Sequence, residues 1–364
     1  MSQAVIAVNN LNKTVPTAAG DLIILDDVNL EVEKGEAVAI VGSSGSGKTT
    51  LLGILAGLDS ATSGSVRLME AQLSDMNEEE RAIARGKYTG FIFQSFQLLM
   101  SLTARENVML PAELRGDEQA ESQALELLEK VGLDSRLNHY PNQLSGGEQQ
   151  RVALVRALAP KPRIMLMDEP FSGLDKRLRD DIRDETLEIL KSEETAVLLV
   201  THEPEEAMKM ADEIALMRSG EIVQMGAPYN LYNAPVDRAA VAFFSDANII
   251  KSKVNGALAN SPFGQFFAPG LADGTHVEIV IRPQHVRIDF DRDGKGPLPT
   301  VSMGIAARGC VVRARFLGNE SLVEFRMDFD NSIFKVTVPS VFLPKVGQPL
   351  WLTVPRDRCF VFPE

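Results

Sequence analysis

Residues 42–50 read GSSGSGKTT, and what flanks them decides the fold. Upstream, GEAVAIVG (residues 35–42) is a short apolar run ending in glycine; downstream, GKTTLLGILAGL (residues 47–58) has helical spacing. Strand, glycine loop and helix in that order are the setting in which G-x-x-x-x-G-K-[ST] holds a nucleoside triphosphate. Gly42, Gly45 and Gly47 let backbone N–H groups turn inward around a phosphate, and Ser43, Ser44, Ser46 and Thr50 complete the loop and helix start. Lys48 is expected to reach the β- and γ-phosphates, and the Thr49 hydroxyl to ligate Mg2+.

The rest of the N-terminal part agrees with an open, mostly parallel sheet. RIMLMDE (163–169) and TAVLLVT (195–201) are apolar runs without alternation, as expected of central strands covered on both faces. AVIAVNNL and LIILDDVNLEV read as strands before the loop. Residues 77–87 and 117–131 show helical spacing, with Ala124, Leu127, Leu128 and Val131 on one side of the second. These patterns predict an α/β doubly wound domain over residues 1–240 with a helical insert at about 77–150. After residue 240 the period changes to two. Val323, Phe325, Met327 and Phe329 alternate with Glu324, Arg326 and Asp328, and Phe334, Val336 and Val338 alternate with Lys335 and Thr337. Residues 241–364 are therefore expected to form a small β-barrel or sandwich.

Composition narrows the function. The 364 residues suffice for two or three domains. Fifty acids against 37 lysines and arginines give a net charge of −13, which argues against nucleic acid or anionic lipid as the main partner. No run of about 18 apolar residues predicts a membrane span, and MSQAVIAVNN lacks the basic start and apolar core of a signal peptide, so a cytoplasmic chain is expected. Cys310 and Cys359 have no metal spacing and read as reduced thiols.

Three strand ends supply candidate chemistry. In IMLMDEP, Asp168 can hold Mg2+, and Glu169 can polarise an attacking water. LLVTHE brings His202 to the same sheet edge, where open α/β sheets gather ligands, as a γ-phosphate contact. Gln94, in GFIFQSFQLL, follows another apolar strand. His139, His276 and His285 have no such context.

A second helix start, LSGGEQQRVALVRAL (144–158), also suits an anion: Ser145 is a good N-cap, and Gly146 and Gly147 leave the first-turn N–H groups approachable. One phosphate is not comfortably held by two helix starts and a lysine of one domain. The economical solution is that Ser145 and its glycines bind the γ-phosphate of a nucleotide on another copy. Two chains head to tail would then sandwich two ATPs, closing on ATP and opening after hydrolysis.

LSGGEQQR, together with the phosphate loop, LMDEP, SGLD and THE in this order, resembles the ATP-binding cassette (ABC) ATPases over about residues 5–230. The resemblance implies a P-loop NTPase with a RecA-like core and a helical subdomain. It implies Gln94 at the Mg2+ and at the interface with a transmembrane partner, Glu169 as catalytic base, Asp175 as a dimer contact and His202 as the switch histidine. Ser145, Gly146, Gly147 and Glu148 would face the partner's ATP. GAPYNLYNAPVDRAAVAFFSDANII followed by VEIVIRPQHVRI resembles importer ATPases, whose C-terminal half is an OB-like regulatory barrel; DEPFSGLD, with Phe171, also looks closer to importers. Implied partners are a second copy, two transmembrane permease subunits and a periplasmic or extracellular solute-binding protein, with no nucleic acid. The chain would then sit peripherally on the cytoplasmic face of the inner membrane.

Two features depart from that pattern. The family usually places an aromatic residue before the phosphate loop to stack on adenine, but no Phe, Tyr or Trp precedes Tyr88. The corresponding position falls at Val15, so adenine would pack on aliphatic side chains. The stretches around residues 42–66 and 90–116 look most like lipoprotein-release and macrolide-exporter ATPases. The long tail weighs towards import, because those ATPases end soon after the switch histidine; an engine for extrusion is the alternative.

Overall fold

The computed structural model describes residues 4–18, 20–290, 294–300 and 302–364, without the side chains of 176–178. It divides into two compact units, Met1–Ala234 and Pro235–Glu364.

The first unit begins with a β-hairpin, β1 (Ala4–Thr17) and β2 (Gly20–Glu33). β3 (Ala37–Val41) runs into the loop GSSGSG and helix α1 (Lys48–Leu55). β4 (Ser63–Leu68) and β5 (Ala71–Gln72) complete a four-stranded antiparallel sheet in the order β2-β1-β4-β5. Helix α2 (Glu78–Tyr88) leads into β6 (Thr89–Ile92), and α3 (Ala104–Glu113), α4 (Ala120–Lys130) and α5 (Gly146–Leu158) follow. β7 (Ile164–Asp168), α6 (Lys176–Ser192), β8 (Ala196–Thr201), α7 (Pro204–Met210), β9 (Glu213–Arg218), β10 (Glu221–Gly226) and α8 (Pro228–Asn233) end the unit. A six-stranded sheet has the order β10-β9-β3-β8-β7-β6, parallel throughout except for the β9–β10 pair.

Every residue of β3 and β8 is buried, as the unbroken apolar runs require of central strands. Val5, Leu30 and Val66 of the antiparallel sheet meet Val38, Ile40, Leu198 and Val200 of the parallel sheet in one core, with Leu51, Leu52 and Leu55 of α1 between them. Burying each such leucine stabilises by about 2 kcal/mol, which fixes α1, and the loop that feeds it, to the sheet. Ala104 and Val108 of α3, Ala124 and Leu128 of α4, and Val152 and Val155 of α5 form a separate helical core.

The second unit opens with α9 (Arg238–Phe244), capped by Asp237, whose Oδ1 accepts from the Ala240 N–H at 2.8 Å. Ten strands follow among the described residues: β11 (Asn248–Asn255), β12 (Leu258–Ser261), β13 (Gly264–Phe267), β14 (His276–Ile281), β15 (Arg287–Phe290), β16 (Ala307–Phe316), β17 (Glu320–Met327), β18 (Ile333–Pro339), β19 (Pro349–Thr353) and β20 (Cys359–Pro363). They make two antiparallel sheets, β13-β12-β11-β14-β20 and β15-β19-β16-β17-β18. The Asn248 side chain ties one to the other by donating to Lys335 O and accepting from Lys335 N, both at 2.8 Å.

The period-two reading places its residues as expected up to Met327: Val323, Phe325, Met327, Phe334 and Val336 are buried in the core between the sheets. Phe329 departs from it. β17 ends at Met327, and Phe329 lies in the turn before β18, 37% exposed with its ring edge-on to Phe263. Among the described residues no helix is long and apolar enough to cross a membrane.

Candidate functional site

The carboxyl ends of β3, β6, β7 and β8 converge on one edge of the parallel sheet. The loop after β3 is shaped by close packing. Gly47, the N-cap of α1, has φ 101°, and a Cβ there would lie 2.8 Å from Ile24 O of β2. At Gly42, with φ 155°, a Cβ would come within 2.2 Å of Met217 O of β9. Only glycine fits these two positions, because neighbouring backbone closes over the loop. Lys48, the first residue of α1, is 6% exposed, and its Nζ donates to Gly42 O and Ser43 O, each at 2.9 Å. Burial lowers its pKa, opposed by the nearby Glu169 and Asp168 carboxylates. The first-turn N–H groups of α1 have no intrahelical carbonyl partner, so the loop presents donors and a cation to a polyphosphate.

Two oxygen ligands stand beside this cradle. Thr49 Oγ1 donates to Asp168 Oδ1 at 3.3 Å. Burial raises the Asp168 pKa, with the Thr49 hydrogen bond pulling it down. No cluster of three or more His, Cys, Asp or Glu among the described residues could hold a metal. One hydroxyl and one carboxylate suit Mg2+, which binds through one or two protein oxygens together with substrate phosphates.

Glu169 is the centre of the edge. It follows β7 with φ 46°, a left-handed conformation that a non-glycine residue adopts at a cost of about 1–3 kcal/mol. Its N–H donates to Val200 O of β8 at 2.9 Å, and its carbonyl accepts from Ser172 Oγ at 3.0 Å. These bonds turn the carboxylate towards two partners. His202 Nδ1 lies 2.9 Å from Oε1, and Gln94 Nε2 donates to Oε2 at 3.3 Å. A carboxylate only accepts, so Nδ1 carries the hydrogen in that contact. Gln94, Glu169 and His202 thus arrive from three strand ends at one point.

Ser145 caps α5 by reciprocal bonds. Its Oγ accepts from Glu148 N at 3.3 Å, while the Ser145 N–H and hydroxyl donate to Glu148 Oε2 at 2.7 and 2.8 Å. Arg136 Nε donates to Oε1 at 3.0 Å. The Ser145 backbone N–H, then Arg136, hold the Glu148 carboxyl well below its ordinary range, at about 2. The Glu148 carboxylate is therefore turned onto its own helix cap. Gly146 packs near Leu174, and a Cβ there would lie 3.6 Å from Leu174 Cδ2; Gly147 is buried. Asp175 precedes α6, and its carbonyl accepts from Arg179 N at 2.9 Å. Val15 is half-buried in β1 opposite Leu22 of β2, and Leu22 and Ile23 are 55% and 57% exposed.

Other residues support the site without having been singled out in the sequence. Arg156, on α5, donates to Phe96 O and Gln97 O at 2.8 and 2.7 Å. Those two residues both have positive φ, so a charged side chain from α5 holds the loop that begins at Gln94. Thr201 and Glu206 make a buried pair beside His202. An arginine inside an amphipathic helix and an acid in EPEEA look like solvated surface by spacing, which hid both.

Residues 25–172 match the ABC transporter family model, and residues 279–362 match that of the TOBE domain. The chain is 36% identical to the sulfate/thiosulfate import ATP-binding protein CysA of Synechococcus elongatus, over 93% of this chain and 87% of that protein. It is 37% identical to the Fe(3+) ions import ATP-binding protein FbpC of Mesorhizobium japonicum, over 82% of this chain and 85% of that protein. The ABC transporter ATP-binding protein YbbA of Escherichia coli K12 is 48% identical, over 56% of this chain and 90% of that protein. Among solved structures, the dimeric post-hydrolysis cassette MJ0796 bound to ADP and Pi matches with a TM-score of 0.56 and 36% identity, over 61% of this chain and 98% of that one.

Proposed function

The chain belongs to the ABC transporter ATP-binding proteins, and from that premise we propose that it hydrolyses ATP to power solute import, as one half of a head-to-tail homodimer. One observation carries the direction of transport. Similarity to import subunits runs through the C-terminal β-unit to 93% of the chain, whereas the higher identity to YbbA covers only 56%.

In this reading, the loop Gly42–Thr50 and Lys48 bind the triphosphate, and Val15, with Leu22 beside it, forms an aliphatic shelf for the base. Glu169 orients the attacking water and takes its proton. His202 holds that carboxylate by the Nδ1 contact and meets the γ-phosphate. Gln94 steadies the other carboxylate oxygen. Thr49, Asp168 and Gln94 would hold Mg2+, which neutralises developing charge on the phosphates when bound. Ser145, Gly146, Gly147 and Asp175 serve the partner chain's nucleotide, with Glu148 fixing the Ser145 cap that faces it. The remaining partners are two permease subunits and a solute-binding protein, with the chain peripheral on the cytoplasmic face of the membrane.

Uptake in cells tests the proposal. Labelled sulfate, thiosulfate and ferric iron are followed in cells carrying the wild-type chain or Glu169→Gln. Loss of uptake of one solute in the variant supports import. Unchanged uptake of all, with intracellular build-up of a normally expelled compound, supports extrusion.

A further inference from the structure

Glu206 is a carboxyl group that the scheme above leaves without a task. It lies in the first turn of α7 and is 3% exposed. Its Oε2 accepts the hydroxyl hydrogen of Thr201 at 2.6 Å, and Thr201, the last residue of β8, is itself 1% exposed. The same Thr201 Oγ1 accepts from the Glu203 N–H at 3.0 Å. His202 is therefore the single residue between two neighbours joined through one buried hydroxyl. Glu206 Oε1 is buried with no hydrogen-bond partner among the described residues. A half-satisfied buried acid is costly compared with an apolar side chain of similar size. A position that served packing alone would not need one.

The strand end that Thr201 occupies anchors both members of the reacting pair. Val200 O accepts from Glu169 N at 2.9 Å, which sets the backbone of the base. One residue later, Thr201 sets the turn that aims His202 Nδ1 at Glu169 Oε1. If the Thr201–Glu206 bond is removed, Glu169 keeps its backbone anchor, while the hydroxyl that accepts from the Glu203 N–H loses the carboxylate that fixes it. A displacement of about 1 Å would be enough to break their contact.

We propose that Thr201 and Glu206 are positioning residues that hold the Thr201–Glu203 turn, and so keep His202 in contact with Glu169 during hydrolysis. The inference rests on the reading of Glu169 and His202 as the reacting pair.

Steady-state turnover of MgATP by the full chain tests it. Thr201→Val, near in shape but without the hydroxyl, and Glu206→Leu should each lower kcat about tenfold with KM for ATP within about twofold. Thr201→Ser and Glu206→Gln keep the bond and should stay within about twofold of wild type. In a His202→Ala background, Thr201→Val should change kcat by less than about twofold, because its effect acts through His202. The same tenfold loss in that background, or wild-type turnover by Thr201→Val, overturns the proposal; this variant decides the matter if Glu206→Leu does not fold. Unchanged turnover by His202→Ala alone would instead remove the reading of His202 on which the proposal rests.

Discussion

Glu169 Oε1 and His202 Nδ1 lie 2.9 Å apart, one at the end of β7 and the other at the end of the neighbouring parallel strand β8. Neither side chain could be placed there by its own strand alone. Glu169 reaches the position through a left-handed backbone, and His202 through a turn clamped at Thr201. The strain at Glu169 marks where the fold has given up local comfort for geometry.

In the proposed mechanism the contact joins a base to the group that holds it, so Glu169→Gln and His202→Ala should each lower kcat by about 100-fold or more while leaving ATP affinity nearly unchanged. Turnover and fluorescent-nucleotide titration, run on the same preparations, separate the two effects. A parallel loss of binding would mean that these residues serve the loop and not the chemistry.

The loop glycines make a second, graded expectation. Gly47→Ala drives a Cβ to within 2.8 Å of Ile24 O, whereas Gly45→Ala, at φ 82°, meets nothing within 4 Å. Gly47→Ala should destabilise by more than about 2 kcal/mol and abolish tight ATP binding. Gly45→Ala should show only left-handed backbone strain, about 1 kcal/mol. Urea unfolding followed by ATP titration checks both; equal effects would contradict the packing argument.

How much of this was legible in the sequence depends on whether a residue's role was set by its neighbours in the chain. The loop Gly42–Thr49, Asp168 at a strand end and the Ser145 cap follow from local spacing, and the apolar runs of β3, β7 and β8 told central parallel strands from edge ones. What could not be read was the long-range bonding. Nothing in GFIFQSFQLL shows that Arg156 holds Phe96 and Gln97, and nothing in EPEEA shows that Glu206 is buried against Thr201. Phe329 was misplaced for a related reason: alternation continued past Met327, where pairing had already ended in a turn.

The α5 cap predicts a pH dependence. Glu148 is held at about 2, below its ordinary 4.5, so its contribution to stability is present above 4.5 and is lost as pH falls from there through 2. Glu148→Ala should cost about 1 kcal/mol near neutral pH, and the gap to wild type should narrow steadily below pH 4.5. Urea midpoints across that range measure it. A constant gap would show that the cap works without the carboxylate charge.

At the proposed base shelf, Val15 and the exposed Leu22 and Ile23 offer aliphatic side chains. Val15→Tyr should lower KM for ATP about fivefold, with kcat little changed, since an aromatic face adds roughly 1 kcal/mol of stacking. No change in KM would place the base elsewhere.

The central claim is that Ser145 of one chain completes the site built on Lys48 of another. Mixing Lys48→Ala chains with Ser145→Arg chains tests it directly. Each variant alone breaks both sites of its homodimer. In a mixed dimer, the intact Lys48 of one chain meets the intact Ser145 of the other, and one whole site is restored. ATP turnover by the mixture should rise from near zero to about a quarter of wild type. If the mixture stays as inactive as the separate variants while mixed dimers form, Ser145 and Lys48 do not serve one nucleotide across the interface.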